Sequence, residues 1–164
     1  MGFWVAILIT LAVLGSVLWV MPSPREKLLT SMRHNAMGFG LKVRLVDKAL
    51  AAKLYPWLED YRGYVMYEKY LPTGKKLETA KTEVIRLSPD ESAHEVDIQN
   101  PLKIALEKSN LLDELPESSE ALTFFSGGVS LLWREKGELD GVRKIDVCLN
   151  ECVAELERIK KIKG

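Results

Sequence analysis

Asp90, Glu91, His94, Glu95 and Asp97 form the densest group of side chains in this chain that could bind a cation or move a proton. Carboxylates of this kind suit a hard divalent ion. Their spacing, however, lacks the loop glycine and the terminal glutamate of an EF-hand, so the group reads as a solvated acidic loop. His94 among these acids is open to a perturbed titration, and a surface loop is the plainer assignment. Cys148 and Cys152 are the two cysteines of the chain. Four residues apart on a helix they share a face, but they form neither a redox C-x-x-C nor half of a zinc site, and buried reduced thiols are expected. Tyr61, Tyr64, Tyr67 and Tyr70 recur every third residue, a period that fits neither helix nor strand. In a strand they alternate faces, which divides them between core and surface. Gly38-Phe39-Gly40 is too short to cradle phosphate, and no Walker sequence, G-x-G-x-x-G or G-x-S-x-G occurs. These residues therefore imply no catalytic site, no cofactor site and no metal site, and the chain does not read as an enzyme.

Elements must position whatever chemistry there is. Ser23-Pro24-Arg25-Glu26 is a helix start, with a capping serine, proline at the first helical position and a capping-box glutamate. Leu28, Leu29, Met32 and Ala36 mark one face of that helix up to a stop at Gly38. Phe39 to Val46 alternates as a half-buried strand, and Asp47 caps a short helix through Leu54 that Pro56 ends. Gly63–Leu71 and Thr82–Leu87, both rich in Tyr, Val and Ile, are expected to pair as a hairpin with a long loop. Asn100-Pro101 starts a helix through about Asp113. Gly127-Gly128, between Leu122–Phe125 and Val129–Trp133, predicts a tight primed turn. From Leu139 to Ile162, Val142, Ile145, Leu149, Cys152, Leu156 and Ile159 step by three and four. This pattern suits a helix lying on a sheet, or a coiled-coil seam in which Val142, Ile145, Leu149, Leu156 and Ile159 would mediate self-association.

The strongest single signal is the uncharged run Gly2–Met21, in which Phe, Val, Ile or Leu fill eleven positions between Phe3 and Val20. At ~1.5 Å per residue it would extend roughly 30 Å, the thickness of a bilayer core. No basic residue precedes it and Val13-Leu14-Gly15 is a poor cleavage site, so a retained anchor is favoured over a cleaved signal. Ala6 stands where a myristoylation signal wants Ser or Thr. Trp4 and Trp19 would sit at the two interfaces, with Arg25, Lys27 and Arg33 at the inner one. Residues 22–58 hold seven basic and two acidic residues. By the positive-inside rule this places the N-terminus outside and the rest in the cytoplasm. The net charge is zero, while residues 83–120 hold three basic and ten acidic residues. The strand around Tyr64, Tyr67 and Lys69 lacks an RNA-binding motif, so no nucleic-acid partner is expected.

The stretch Met21-Pro22-Ser23-Pro24-Arg25-Glu26-Lys27-Leu28-Leu29 after an apolar helix resembles the layout of the YajC family, the small accessory subunit of the bacterial preprotein translocase. That family's Gly-Asp strand with its following Gly-Gly is absent here. The chain is also similar in layout to uncharacterised anchored proteins of Gram-negative bacteria, where Trp133-Arg134-Glu135 ends a late strand before a final helix. The resemblance implies a bacterial inner-membrane protein whose partners are the lipid bilayer and a membrane complex.

The expected organisation is a transmembrane anchor over 1–22, a juxtamembrane helix over 23–38 and a cytoplasmic domain over 39–164. The fold class is α+β: an N-terminal transmembrane helix, then one domain with a mixed or antiparallel sheet of about five strands and packed helices. The function expected is single-pass membrane-anchored binding or scaffolding; the alternatives are a self-assembling membrane-associated structural protein through 139–162 and, less favoured, an enzyme with an unrecognised site.

Overall fold

The computed structural model describes residues 2–20, 22–72, 82–87, 112, 114–137 and 139–162, without the side chains of 17–20 and 159–162. Helices α1 (Gly2–Val20) and α2 (Pro24–Gly38) lead into strand β1 (Lys42–Leu45) and the short helix α3 (Lys48–Leu54). Strands β2 (Val65–Tyr70), β3 (Glu83–Arg86), β4 (Ser119–Phe125) and β5 (Gly128–Trp133) follow, and α4 (Asp140–Ile162) closes the chain. The strands form one antiparallel sheet in the order β1-β2-β5-β4-β3. The α+β domain with a five-stranded antiparallel sheet thus stands.

The membrane anchor does not. Among the described residues, no helix is long and apolar enough to cross a membrane. The transmembrane helix, the single-pass topology and the inner-membrane placement expected from the sequence are corrected accordingly.

Alternation along the strands gives the sheet two different faces. Val43, Tyr67, Leu131, Leu122 and Ile85 are aligned across all five strands on the first face. They share a core with Val65, Val129, Trp133 and Phe124, and α4 covers it with Val142, Ile145, Cys148, Leu149, Cys152 and Leu156. The three-and-four spacing of α4 is therefore a sheet-packing face. On the second face Met66, Leu132 and Ala121 pack with Ala51 of α3 and with Tyr55.

Local signals explain several elements. Ser23 accepts a hydrogen bond from the Glu26 amide at 3.2 Å while Glu26 accepts from the Ser23 amide at 2.7 Å, completing the capping box. Asp47 caps α3 by accepting from the Leu50 amide at 2.7 Å. The helix over 24–38 packs on the sheet domain, with Met32 and Ala36 fully buried in the first core.

Three strand expectations change. The strand expected over Phe39–Val46 is shorter and lies at a sheet edge, leaving Leu45 63% exposed while Val46 turns into the second core. β2 and β3 do not form a hairpin. β5 and β4 lie between them, because β2 pairs with β1 and β5 while, among the described residues, β3 pairs only with β4. The β4–β5 hairpin forms as expected, but Phe125 opposes Gly128, so Ser126-Gly127 makes the turn and Gly128 belongs to the strand. Neither Ser126 nor Gly127 takes positive φ, so the turn is not of the primed type. The expected helix over 100–113 falls almost wholly outside the described residues, and the acidic group Asp90–Asp97 entirely so.

Candidate interaction surface

α1 carries apolar side chains around its whole circumference. Phe3, Trp4, Val5, Leu8, Ile9, Leu11, Val13 and Leu14 are each more than half exposed. None of them belongs to either core. The two hydroxyls of this stretch are turned back onto the helix: Thr10 donates to the Ala6 carbonyl and Ser16 to the Val13 carbonyl, both at 2.8 Å. α1 thus offers a partner apolar surface with its hydroxyl donors already used.

The remaining residues expected at an interface are distributed differently. Trp4 is 72% exposed, whereas the Trp19 side chain lies outside the described residues. Arg25 and Lys27 are exposed on the first turn of α2. Arg33 points into the domain. Its Nε and Nη2 donate to the two carboxylate oxygens of Glu135 at 2.9 and 2.5 Å. Tyr67 donates its hydroxyl to the same carboxylate at 2.8 Å. These bonds hold the Arg33 guanidinium above its ordinary pKa. Burial first, and then the bond to Glu135, push the Tyr67 hydroxyl well above the usual phenol range. Glu135 itself adopts φ 45°, a left-handed backbone rare for a residue with a side chain. Of the proposed self-association residues, Val142, Ile145 and Leu149 are fully buried and Leu156 is nearly so, while the Ile159 side chain is not described. The sheet already covers this face of α4.

The second face of the sheet holds a polar row. Lys42, Glu68, Ser130, Thr123 and Val84 are aligned across the five strands. Glu68, Ser130 and Thr123 are buried. Tyr55 and Thr123 share a hydroxyl–hydroxyl bond of 2.9 Å, and Tyr70 donates to Glu68 at 2.7 Å. At the opposite end of this face, Trp57 donates its indole N–H to Glu120 at 3.2 Å, and the Arg86 guanidinium stands over the Trp57 ring at 5.5 Å. Glu120 is the extra residue of a bulge, since Ser119 opposes Trp133 while Ala121 opposes Leu132.

Cys148 and Cys152 are free and buried. The interaction between the neighbouring thiols holds Cys148 below the ordinary thiol range and, together with burial, pushes Cys152 above it. A concavity of about 240 Å³ at the start of α4 is lined by Lys136 and Lys144 alongside Glu117 and Asp140. Its charges offset one another. Among the described residues, no group of three or more His, Cys, Asp or Glu could hold a metal ion.

The sequence reading missed the Arg33–Glu135–Tyr67 cluster and the polar row. Glu135 lies two residues past the end of the strand at Trp133, and a carboxylate so close to the largest core residue was the available signal. For the row, Glu68 lies in phase with Met66, so alternation alone places it on a covered face. Compared with known proteins, the chain matches no family model, no curated protein and no solved structure.

Proposed function

We propose that this protein is a non-enzymatic binding module that docks α1 into an apolar protein surface and thereby carries the sheet domain to its partner. One observation carries the reading: eight large apolar side chains of α1, from Phe3 to Leu14, are more than half exposed and pack into neither core. A helix apolar all round is stable when it is enclosed. At about 25 cal/mol per Å² of apolar area, covering these side chains favours association strongly. The polar side chains support a structural rather than a chemical deployment. Glu135, Thr123 and Tyr55 are turned toward neighbouring side chains of the fold.

The test is site-specific photo-crosslinking in living cells, with the reactive residue placed at Leu8 or Leu11 and a control at Lys27. A discrete protein adduct is expected from Leu8 and Leu11 but not from Lys27. Translocase subunits, implied by the N-terminal layout, are the first adducts to look for. A doubled chain mass would make the partner a second copy. Adducts with lipid alone, or none at all, would overturn the reading.

A further inference from the structure

The attachment of α2 to the domain is thin. Only Met32 and Ala36 of this helix are buried, whereas α4 buries six side chains in the same core. Across the middle of α2, Leu29 and Met32 pack on the core, and beside them a polar fastening joins helix and domain: the bidentate Arg33–Glu135 pair, with Tyr67 donating to the same carboxylate. The Glu135 side chain is 4% exposed and that of Arg33 is 34% exposed, so one partner is sealed while the other reaches solvent. The C-terminal end of α2 is tied separately. Lys69 donates to the Phe39 carbonyl at 3.0 Å and the Leu41 amide to the Ala36 carbonyl at 2.9 Å. Gly40 takes φ 74° there, with open space around its α-carbon. The helix is thus anchored at one end, beside a glycine pivot, and latched in the middle. The latch is carried by Glu135, whose left-handed backbone at φ 45° costs energy that its hydrogen bonds must offset.

We propose that α2 is a releasable strap, latched over the first core by Arg33, Glu135 and Tyr67 and pivoting at Gly40 as the Leu41–Ala36 bond parts, so that it opens without unfolding of the sheet. Local opening of this kind belongs to elements with few buried apolar contacts. Release would uncover the part of the first core that Met32 and Ala36 seal. This inference does not depend on what α1 binds.

Hydrogen exchange of the full chain, read by mass spectrometry, tests it. In the unmodified protein, α2 amides should exchange faster than those of β4 and β5. Glu135→Gln keeps the side-chain shape but removes the charge, and it should speed α2 exchange ~10- to 100-fold while leaving β4 and β5 unchanged. Arg33→Lys, which loses the two-pronged geometry, should give a smaller increase in the same amides. If Glu135→Gln leaves α2 exchange unchanged, there is no latch. If α2, β4 and β5 exchange together in the unmodified protein and in Arg33→Lys, α2 is an inseparable part of the core and the proposal fails. That second comparison holds even if Glu135→Gln does not fold.

Discussion

Buried hydroxyls and carboxylates decide the residue-scale behaviour of this domain. Tyr55 and Thr123 bond across 68 positions of sequence in a site where Thr123 is 1% exposed. Tyr55→Phe removes the hydroxyl that pairs with the buried Thr123 hydroxyl and should cost about 1–2 kcal/mol in urea unfolding. Thr123→Val should cost a similar amount, and the double variant should be less destabilised than the sum of the two. Strict additivity would show that the bond contributes nothing. The tyrosines also set the response to alkali. Burial raises both Tyr55 and Tyr67 above the ordinary phenol pKa. Unfolded tyrosines lose their protons near pH ~10, whereas the folded ones retain theirs to higher pH. Above that point the unfolded chain holds fewer protons, so stability is fully present below pH ~10 and falls as pH rises further. Tyr67→Phe should flatten this alkaline decline in urea midpoints. An unchanged slope would exclude Tyr67 as its source. None of this was legible from the every-third-residue tyrosines, whose positions fix alternation but not which hydroxyl finds a partner.

At the scale of elements, legibility tracked the range of the deciding contacts. The capping box at Ser23–Glu26, the Asp47 cap and the 23-residue helix α4 rest on neighbours in sequence, and each forms close to where expected. The pairing of β2 with β3 failed because partner choice is tertiary: β5 offers β2 a six-residue register from Val65 opposite Trp133 to Tyr70 opposite Gly128. The two adjacent glycines show the same limit. Turn propensity finds the hairpin, but the need for glycine at 128 comes from another strand. A β-carbon there would lie 2.1 Å from the Lys69 carbonyl oxygen and 3.0 Å from the Tyr70 α-carbon, both in β2. Gly128→Ala should therefore force β5 away from β2 and cost more than about 2 kcal/mol in chemical denaturation. Gly38→Ala is the matched control: its β-carbon would meet nothing within 4 Å, and it should be neutral or stabilising by up to about 1 kcal/mol. Equal effects at the two positions would mean that the approach of β2 and β5 is not what Gly128 serves.

Across the whole molecule, the two cores enclose the sheet from both sides, and α1 contributes to neither. The sequence made the apolarity of Gly2–Met21 plain, yet composition does not state what surrounds a helix, and the span inferred from it is not supported. The first 21 residues should therefore be dispensable for folding. A chain of residues 22–164 retains Ser23 as cap, the Arg33–Glu135 pair, Met32 and Ala36, and every strand register. Its urea midpoint and cooperativity should match those of the full chain to within about 0.5 kcal/mol, the range of changes remote from core contacts. Binding should separate from folding in the same comparison: the shortened chain should lose the partner adducts that α1 forms in cells while its thermal transition stays in place. A loss of more than about 1 kcal/mol on removing residues 1–21 would mean that α1 packs on the domain in solution. The exposed face from Phe3 to Leu14 would then be an intramolecular contact rather than a docking surface.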